Sequence, residues 1–269
     1  LNIVYGDVRD SSAIKPLIAK NDVIIPLAAI VGAPACNKDP VLASSVNKDS
    51  VFQLLNSLSS AQQIIMPTTN SAYGSGDSNN FCDEKSQLNP LSLYAKDKVE
   101  VEKRLLENAN ATSFRLATVF GISPRMRLDL LVNNFAYRAA TDGFVVVFEG
   151  NFKRNYIHLL DVVQAFQLAI EKPNEFRGEI FNVGLSSANI SKLDLCAEIR
   201  KIKQDFVFKE AELGKDPDQR NYIVSNAKIE SKGFKPSVTL QEGLIELLDN
   251  IKMFDFKPLH FEQHPHGGG

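Results

Sequence analysis

The stretch NPLSLYAKDKVEVEK, residues 89–103, places Tyr94 four residues before Lys98 within a polar helical pattern. Residues four apart in a helix lie on the same face, so the phenol and the ammonium are expected to be neighbours. A positive neighbour lowers the pKa of a phenol, which otherwise titrates at about pH 10. The spacing fits a proton-accepting tyrosine, and it also fits a surface tyrosine beside a solvated lysine, so the surrounding sequence has to distinguish the two.

The segment MPTTNSAYG, residues 66–74, precedes this helix and predicts a strand that ends in paired threonines and a glycine turn. In open α/β sheets, ligands bind in the crevice outside the carboxyl ends of the parallel strands. Thr69 and Tyr94 are therefore expected to face one crevice. There a phenolate can take the proton of a ligand hydroxyl group that the threonine holds by a hydrogen bond.

Short apolar runs alternate with amphipathic stretches, which predicts βαβ units and an α/β fold with a doubly wound parallel sheet. The predicted strands are residues 2–5, 22–27, 63–67, 112–116 and 144–148. The predicted helices are residues 12–20, 40–59, 92–108, 128–140 and 161–171.

The composition argues against several classes of protein. With 44% hydrophobic and 23% charged residues the chain is typical of globular proteins, and it has no apolar run long enough to predict a membrane span. The net charge of -2 indicates neither a nucleic-acid nor a lipid-surface partner. The three cysteines lack zinc spacing, so we expect no metal site and a reducing, cytoplasmic location. We also expect no signal peptide.

Seven motifs follow one another along residues 2–252. They are YGDVRD (5–10), IIPLAAIVG (24–32), TTNSAYG (68–74), YAKDK (94–98), FRLATVFG (114–121), FKRNYIHLLDVVQAF (152–166) and DPDQRNYIVSNAKIESKGFKP (216–236). Together they resemble the NAD-dependent epimerase/dehydratase family of the extended short-chain dehydrogenase/reductase superfamily, which includes UDP-glucose 4-epimerase. The resemblance implies a Rossmann-type fold with NAD as cofactor, NADP remaining open.

The resemblance also implies which residues contact the cofactor. In the family the aspartate of the third strand meets the adenine amine, and the fourth strand lines the cofactor. The implied cofactor-binding residues are Asp7, Val8, Leu27, Ala28, Ala29, Asn47, Thr68, Tyr94, Lys98 and Ala117.

The resemblance gives the tyrosine, the lysine and the threonine catalytic roles. Tyr94 would act as the base, Lys98 would lower its pKa and hold the nicotinamide ribose, and Thr69 would orient the reacting sugar hydroxyl. The implied substrate-binding residues are Thr69, Asn70, Thr118, Arg154 and Arg220. The two arginines would hold a nucleotide diphosphate, which their fork geometry suits, and the alternative is that each forms a structural ion pair.

The chain departs from the family pattern at several points. The glycine-rich turn expected after the first strand does not occur, so we expect the family's first two βα units, on the order of 50 residues, to be missing from this sequence. We then expect weak cofactor binding by this chain, or none. We expect a partial dinucleotide-binding domain at 1–121, an interleaved substrate lobe at 122–252 and a disordered tail at 253–269.

Smaller departures concern the substrate. Thr118 stands where many members have an asparagine. Asn70 and Ser71 stand where the 4,6-dehydratases have Asp-Glu, which disfavours dehydration. Arg125 and Arg127 are expected beside the substrate cleft, as ligands of an acidic group or as a solvated turn.

The implied function is an NAD-dependent nucleotide-sugar epimerase of the 4-epimerase type, acting on a nucleotide-diphosphate sugar as a homodimer that pairs through residues 40–59 and 92–108. A reductase of a keto sugar or another carbonyl compound is the alternative enzyme. A non-catalytic dinucleotide sensor or scaffold is the alternative of another class. Cys36 is expected to line the nicotinamide end without acting as a nucleophile.

Overall fold

The computed structural model describes residues 2–75, 81–108, 110–214 and 220–251. Its strands are β1 (Val23–Ile24), β2 (Gln63–Thr69), β3 (Phe81–Cys82), β4 (Ala111–Leu116), β5 (Thr118–Phe120), β6 (Phe144–Val147), β7 (Lys153–His158), β8 (Glu179–Val183), β9 (Asn189–Ser191), β10 (Val207–Glu210) and β11 (Ile223–Val224). Its α-helices are α1 (Ser11–Ile18), α2 (Ala33–Lys38), α3 (Pro40–Ser44), α4 (Ser50–Leu55), α5 (Leu93–Leu105), α6 (Leu131–Thr141), α7 (Leu159–Glu171), α8 (Pro173–Phe176), α9 (Lys192–Ile202), α10 (Ala227–Ser231) and α11 (Leu240–Asn250).

The central sheet contains four parallel strands in the order β1-β2-β4-β8. Side chains alternate between the two faces of a strand. Ile64 and Met66 accordingly pack in a cluster with residues of α4 and α5, whereas Ile65 packs in a different cluster with residues of α7 and α8. Both faces of the sheet are thus covered by helices, and the predicted doubly wound parallel sheet is confirmed.

A second group of strands brings later parts of the chain beside this sheet. Strands β5, β7 and β9 form a three-stranded sheet, in which Thr118 pairs with Tyr156 and Arg154 pairs with Ile190. A large apolar cluster with members on α6, α9 and α11 contains Tyr156. The register therefore places Thr118 and the residues around Arg154 on one small sheet.

Residues 2–5 do not form the predicted strand. Ile3, Val4 and Tyr5 are between 60% and 93% exposed. A strand needs a neighbour that exchanges main-chain hydrogen bonds with it, and none of the described residues pairs with this segment. An apolar run is therefore not sufficient for a strand, and this prediction was wrong.

Two other predicted elements differ in extent. The strand predicted at 22–27 is limited to β1, and Pro26 has no N–H group for a ladder. The helix predicted at 40–59 consists of α3, a π-helical turn at Ser45–Asp49 and α4. Within it the Ser50 hydroxyl donates to the Val46 carbonyl at 2.6 Å, the kind of contact that competes with regular helix hydrogen bonds.

The remaining predicted helices and strands of the described region occur within a few residues of their expected bounds. The predicted tail, 253–269, lies outside the described residues. Among the described helices, none is both long and apolar enough to cross a membrane.

Candidate active site

Tyr94 and Lys98 lie in the first half of α5. The helix begins after Ser92, whose hydroxyl accepts a hydrogen bond from the Ala95 N–H at 3.2 Å and so caps the helix. The Lys98 ammonium lies 5.8 Å from the centroid of the Tyr94 ring, and Lys98 is buried. The helical spacing therefore makes the two side chains neighbours, as the sequence indicates.

Burial dominates the protonation of both groups. It raises the pKa of Tyr94, which the charges of Arg127 and Arg220 lower in part. It lowers the pKa of Lys98 to about 8, against the charge of Asp97. The pKa of Tyr94 thus moves in the opposite direction to the one expected from Lys98, because removal of the phenol from water outweighs the nearby positive charges in the chain by itself.

Thr69 is the last residue of β2 and caps the 3-10 turn Asn70–Tyr73 that follows it. Its hydroxyl donates to the Ser71 Oγ at 3.0 Å and accepts from the Ser71 N–H at 3.1 Å. Arg220 donates from Nη1 to the same Ser71 Oγ. Thr69, Ser71 and Arg220 are therefore joined at the carboxyl end of the central strand, where the α/β fold holds ligands.

Thr68 faces the other side of the sheet from Thr69. Its hydroxyl donates to the Glu102 Oε2 at 3.2 Å and shares a hydrogen bond of 2.9 Å with the Ser113 Oγ. These groups belong to a buried network around the ion pair of Glu102 and Arg115, whose closest N–O distance is 2.6 Å. The Thr68 hydroxyl is engaged there, so the predicted cofactor contact of this residue stays a prediction that would involve its main chain.

Asn70 follows Thr69 and is 1% exposed, yet neither polar atom of its side chain has a hydrogen-bond partner among the described residues. A buried amide without partners is costly, and such groups in native proteins usually have a ligand, an ion or a water. Asn70 is thus placed beside the threonine with both a donor and an acceptor for a bound molecule. Its expected role in substrate binding stays a prediction.

The two predicted diphosphate residues, Arg154 and Arg220, act on the same phenol. Arg154 is buried in β7, and both guanidinium groups lower the pKa of Tyr156, which burial raises. The Tyr156 hydroxyl has no hydrogen-bond partner among the described residues. Thr118 pairs with Tyr156 across β5 and β7. Residues from distant segments thus converge on one buried positive region, which suits an anionic group.

Sequence reasoning missed Tyr156 in this region, although it lies in the quoted motif FKRNYIH. Its position two residues after Arg154 in a strand, and hence on the same face of that strand, was the available signal.

The residues predicted at the cofactor in the first thirty positions are exposed or half-buried. Asp7 is exposed and forms a 2.5 Å ion pair with Arg9, whose hydrogen bonds lower the pKa of Asp7 to about 2. Leu27 is 70% exposed, Ala28 is exposed, and Val8 and Ala29 are half-buried. Their predicted cofactor contacts stay predictions.

Asn47 and Cys36 both contact the main chain of Ile30. Asn47 is buried and makes two main-chain hydrogen bonds with Ile30, one from its Nδ2 and one to its Oδ1, each 2.8 Å long. It therefore holds the segment after β1 in place. The Cys36 thiol donates to the Ile30 carbonyl at 3.4 Å, and burial raises its pKa. A protonated thiol is a poor nucleophile, and the expected position of Cys36 at the nicotinamide end stays a prediction.

Arg127 lies beside Gly32, in the segment after β1, and its charge acts on Tyr94. It pairs with Asp129, with 3.0 Å between Nε and Oδ1, and its charge lowers the pKa of Tyr94. Gly32 has a φ of +90°, and a Cβ placed on it would lie 3.3 Å from the Arg127 Nη2. Gly32 therefore gives both the backbone conformation and the space that this arginine needs.

The described residues fit the nicotinamide end of NAD. The buried Lys98 ammonium forms no hydrogen bond with a described residue, and ribose hydroxyls are suitable acceptors for it. Ala117, also expected at the cofactor, is 5% exposed, and its N–H donates to the Val183 carbonyl at 2.9 Å. The sequence contains no GxxGxxG turn, the motif that holds the pyrophosphate in Rossmann-type folds.

Comparisons with known proteins identify the family of the chain. The model of the NAD dependent epimerase/dehydratase family matches residues 1–184. An uncharacterized protein of Schizosaccharomyces pombe is 28% identical over an alignment of 222 residues, with 68% of this chain and 59% of that protein covered. CDP-paratose 2-epimerase of Salmonella typhi is 24% identical, with 91% of this chain and 83% of the relative covered. dTDP-D-glucose 4,6-dehydratase of Mus musculus is 26% identical, with 90% and 71% covered.

Solved structures share the fold. UDP-glucose 4-epimerase of Thermus thermophilus, in complex with NAD, has a TM-score of 0.78 at 21% identity, with 92% of this chain and 83% of that chain covered. RMD from Pseudomonas aeruginosa, complexed with NADPH, has a TM-score of 0.81 at 18% identity, with 94% and 89% covered. The family model matches residues 1–184, which are most of this chain, and the sheet has the Rossmann-type arrangement. This chain therefore belongs to the NAD dependent epimerase/dehydratase family.

Proposed function

We propose that the protein is an NAD-dependent nucleotide-sugar epimerase that inverts a hydroxyl-bearing carbon, as a 4-epimerase does. The observation that carries the proposal is the position of Arg220. Its guanidinium donates to Ser71, which is hydrogen-bonded to Thr69, and its charge also acts on the phenol of Tyr94. These contacts support the proposal that the proton acceptor, the orienting hydroxyl and a cation for the substrate act in one site.

In this site Tyr94 takes the proton of the sugar hydroxyl and later returns it to the same oxygen. Bound NAD would supply reversible hydride transfer at the sugar carbon. Thr69 hydrogen-bonds the reacting oxygen, and Lys98 holds the nicotinamide ribose and places a positive charge beside the phenol. Because burial raises the pKa of Tyr94, the proton transfer depends on this charge and on that of the bound cofactor.

Arg154 and Arg220 are proposed to hold the diphosphate of the substrate. Both lie near Tyr156, and both carry a fixed charge that suits phosphate oxygens. An anchored diphosphate would allow the oxidised sugar to rotate in the site while the nucleotide remains bound. The second face of the sugar would then receive the hydride, which inverts the carbon.

The residues after Thr69 favour epimerisation over dehydration. Relatives of the chain include epimerases and dehydratases. Dehydration needs an acid that protonates the leaving hydroxyl, and Asn70 and Ser71 carry an amide and a hydroxyl instead. These side chains can hold a sugar hydroxyl without expelling it.

The assembly is proposed to be a homodimer through α3, α4 and α5. These helices already pack together within one chain: the Ser44 hydroxyl donates to Asp97 at 3.0 Å, and Lys48 pairs with Glu100 at 3.0 Å. If the same helices also pair between two chains, sedimentation equilibrium of the purified protein should give twice the mass of the chain.

The proposed activity is tested with a panel of UDP-, dTDP- and CDP-linked hexoses and uronic acids in the presence of NAD. Product stereochemistry is read by NMR, and the NAD concentration by absorbance. Inversion without net consumption of NAD is expected, whereas stoichiometric consumption would show a reductase or dehydrogenase instead.

Tyr94→Phe should abolish turnover and leave NAD binding nearly unchanged, since it removes only the phenolic oxygen. The matched control is Tyr137→Phe in α6, which should retain wild-type turnover. Turnover by Tyr94→Phe would remove the proposed base, and dinucleotide binding without turnover across the whole panel would favour a sensor.

A further inference from the structure

Ser71 holds the side chain of Thr69 by two hydrogen bonds. The Thr69 hydroxyl donates to the Ser71 Oγ at 3.0 Å, and the Ser71 N–H donates back to the Thr69 Oγ1 at 3.1 Å. Both residues are buried. A hydroxyl has one hydrogen and two lone pairs, so Thr69 keeps a single lone pair for another molecule. In this arrangement Thr69 accepts a hydrogen bond from a ligand and has no hydrogen to give.

The same Ser71 oxygen accepts a hydrogen bond from Arg220. The two residues are 149 positions apart in the chain, so this contact joins the end of β2 to a distant segment. With Thr69 and Arg220 as donors, both lone pairs of the Ser71 oxygen are used. A guanidinium has five N–H donors, so Arg220 can keep this contact while other N–H groups bind an anion.

These contacts matter for an oxygen that changes from hydroxyl to carbonyl. A sugar hydroxyl can donate to the remaining lone pair of Thr69. A carbonyl oxygen only accepts, so Thr69 must then turn its hydrogen away from Ser71 and towards the ligand. Arg220 makes this easier, because its charged N–H donates to the same Ser71 oxygen and weakens that oxygen as an acceptor for Thr69.

We propose that Ser71 is a positioning residue that couples Arg220 to Thr69. Its hydroxyl holds the threonine in one rotamer and holds the arginine ready for the diphosphate, the second part resting on the proposed function. Loss of the hydroxyl would leave Thr69 with only the contact from the Ser71 N–H, so the threonine should populate other staggered rotamers to a greater extent. It would also leave Arg220 less ordered, which weakens binding because more freedom is lost on association.

The first test needs no ligand. Three-bond couplings of the Thr69 methyl group, measured by NMR on methyl-labelled protein, report its rotamer. A single rotamer is expected in the wild type and in Ser71→Thr, and averaged couplings in Ser71→Ala and Ser71→Gly, which both lack the oxygen. The matched control is Ser113→Ala, which removes the hydroxyl beside Thr68 and should leave Thr69 unchanged. Wild-type couplings for Thr69 in Ser71→Ala and Ser71→Gly would overturn the proposal.

The second test measures the affinity for UDP by calorimetry in Ser71→Ala, Arg220→Met and the double variant. Ser71→Ala should weaken UDP binding by about two- to tenfold, with Ser71→Thr restoring it. If Ser71 acts through Arg220, the double variant should bind no more weakly than Arg220→Met alone. Independent losses that multiply would remove Arg220 from the proposal. Failure of the wild type to bind UDP would contradict the diphosphate assignment, while the rotamer measurement still decides the role of Ser71.

Discussion

Replacement of Arg115 by methionine should destabilise the protein far more than removal of a surface arginine does. Arg115 in β4 and Glu102 in α5 form an ion pair whose side chains are 4% and 5% exposed. The guanidinium donates from Nη2 to Oε1 at 2.6 Å and from Nε to Oε2 at 3.1 Å. Glu102 also accepts from the hydroxyls of Ser113 and Thr68, at 2.7 Å and 3.2 Å. The variant would leave a buried carboxylate with two neutral donors.

The expected cost follows from that uncompensated charge. Loss of one partner of a buried ion pair destabilises a protein by about 3–5 kcal/mol. For a chain of this size, each kcal/mol lowers the melting temperature by roughly 2–4 °C, so a decrease of about 6–20 °C is expected. Glu102→Gln also leaves one buried charge, that of Arg115, but it should cost less because the amide oxygen can still accept a hydrogen bond from the guanidinium.

The assay is urea unfolding, checked by calorimetry, and the control is Arg104→Met. Arg104 lies on the same helix and pairs with Glu107, but its side chain is 43% exposed, so its loss should cost about 0–1 kcal/mol. The double variant Arg115→Met/Glu102→Gln should be more stable than the sum of the two single losses predicts. Equal unfolding free energies for Arg115→Met and Arg104→Met would refute the reasoning, since the buried network would then contribute no more than a surface pair.

Two further predictions concern charged residues of the site. The pKa of Lys98 is lowered from 10.5 to about 8, so the folded protein releases this proton before the unfolded chain does, and stability should rise with pH between about 8 and 10.5 relative to Lys98→Met. The rise should reach about 3 kcal/mol, and parallel pH curves for the two proteins would contradict it. Arg154→Ala should weaken UDP binding by about tenfold or more and reduce its dependence on salt, whereas the control Arg138→Ala should not. Unchanged UDP affinity in Arg154→Ala would remove Arg154 from the diphosphate site.

The sequence predicts best where a feature depends on regular local spacing. The alternation of apolar runs gives the parallel sheet, and the four-residue interval gives the contact between Tyr94 and Lys98. It predicts less well where a segment needs a partner. Residues 2–5 have the composition of a strand, but no described segment pairs with them. The π-helical turn inside the helix predicted at 40–59 has no periodic signal of its own.

Polar contacts between distant segments could not be predicted from the sequence either. Ser71 and Arg220 are 149 residues apart, and the sequence around each residue does not indicate the other as its partner. Glu102 left a partial signal, because it follows Lys98 by four residues and so lies on the same helical face. Arg115 gave a second partial signal, because it is a charged residue within the buried strand β4. A carboxylate on the inner face of a helix and an arginine in a neighbouring central strand together predict a buried pair.

The adjacent threonines Thr68 and Thr69 have different roles because they lie on opposite faces of one strand. Thr68 and Thr69 have the same side chain, and the pleat directs them to opposite sides of β2. Thr68 joins the Glu102 network, which connects α5 to β2 and β4, and Thr69 meets Ser71 at the proposed site. Because α5 carries Tyr94 at one end and Glu102 two turns later, the buried network that anchors Glu102 also helps to fix the position of the phenol. A variant that loosens the network should therefore lower turnover without changing any residue that contacts the substrate.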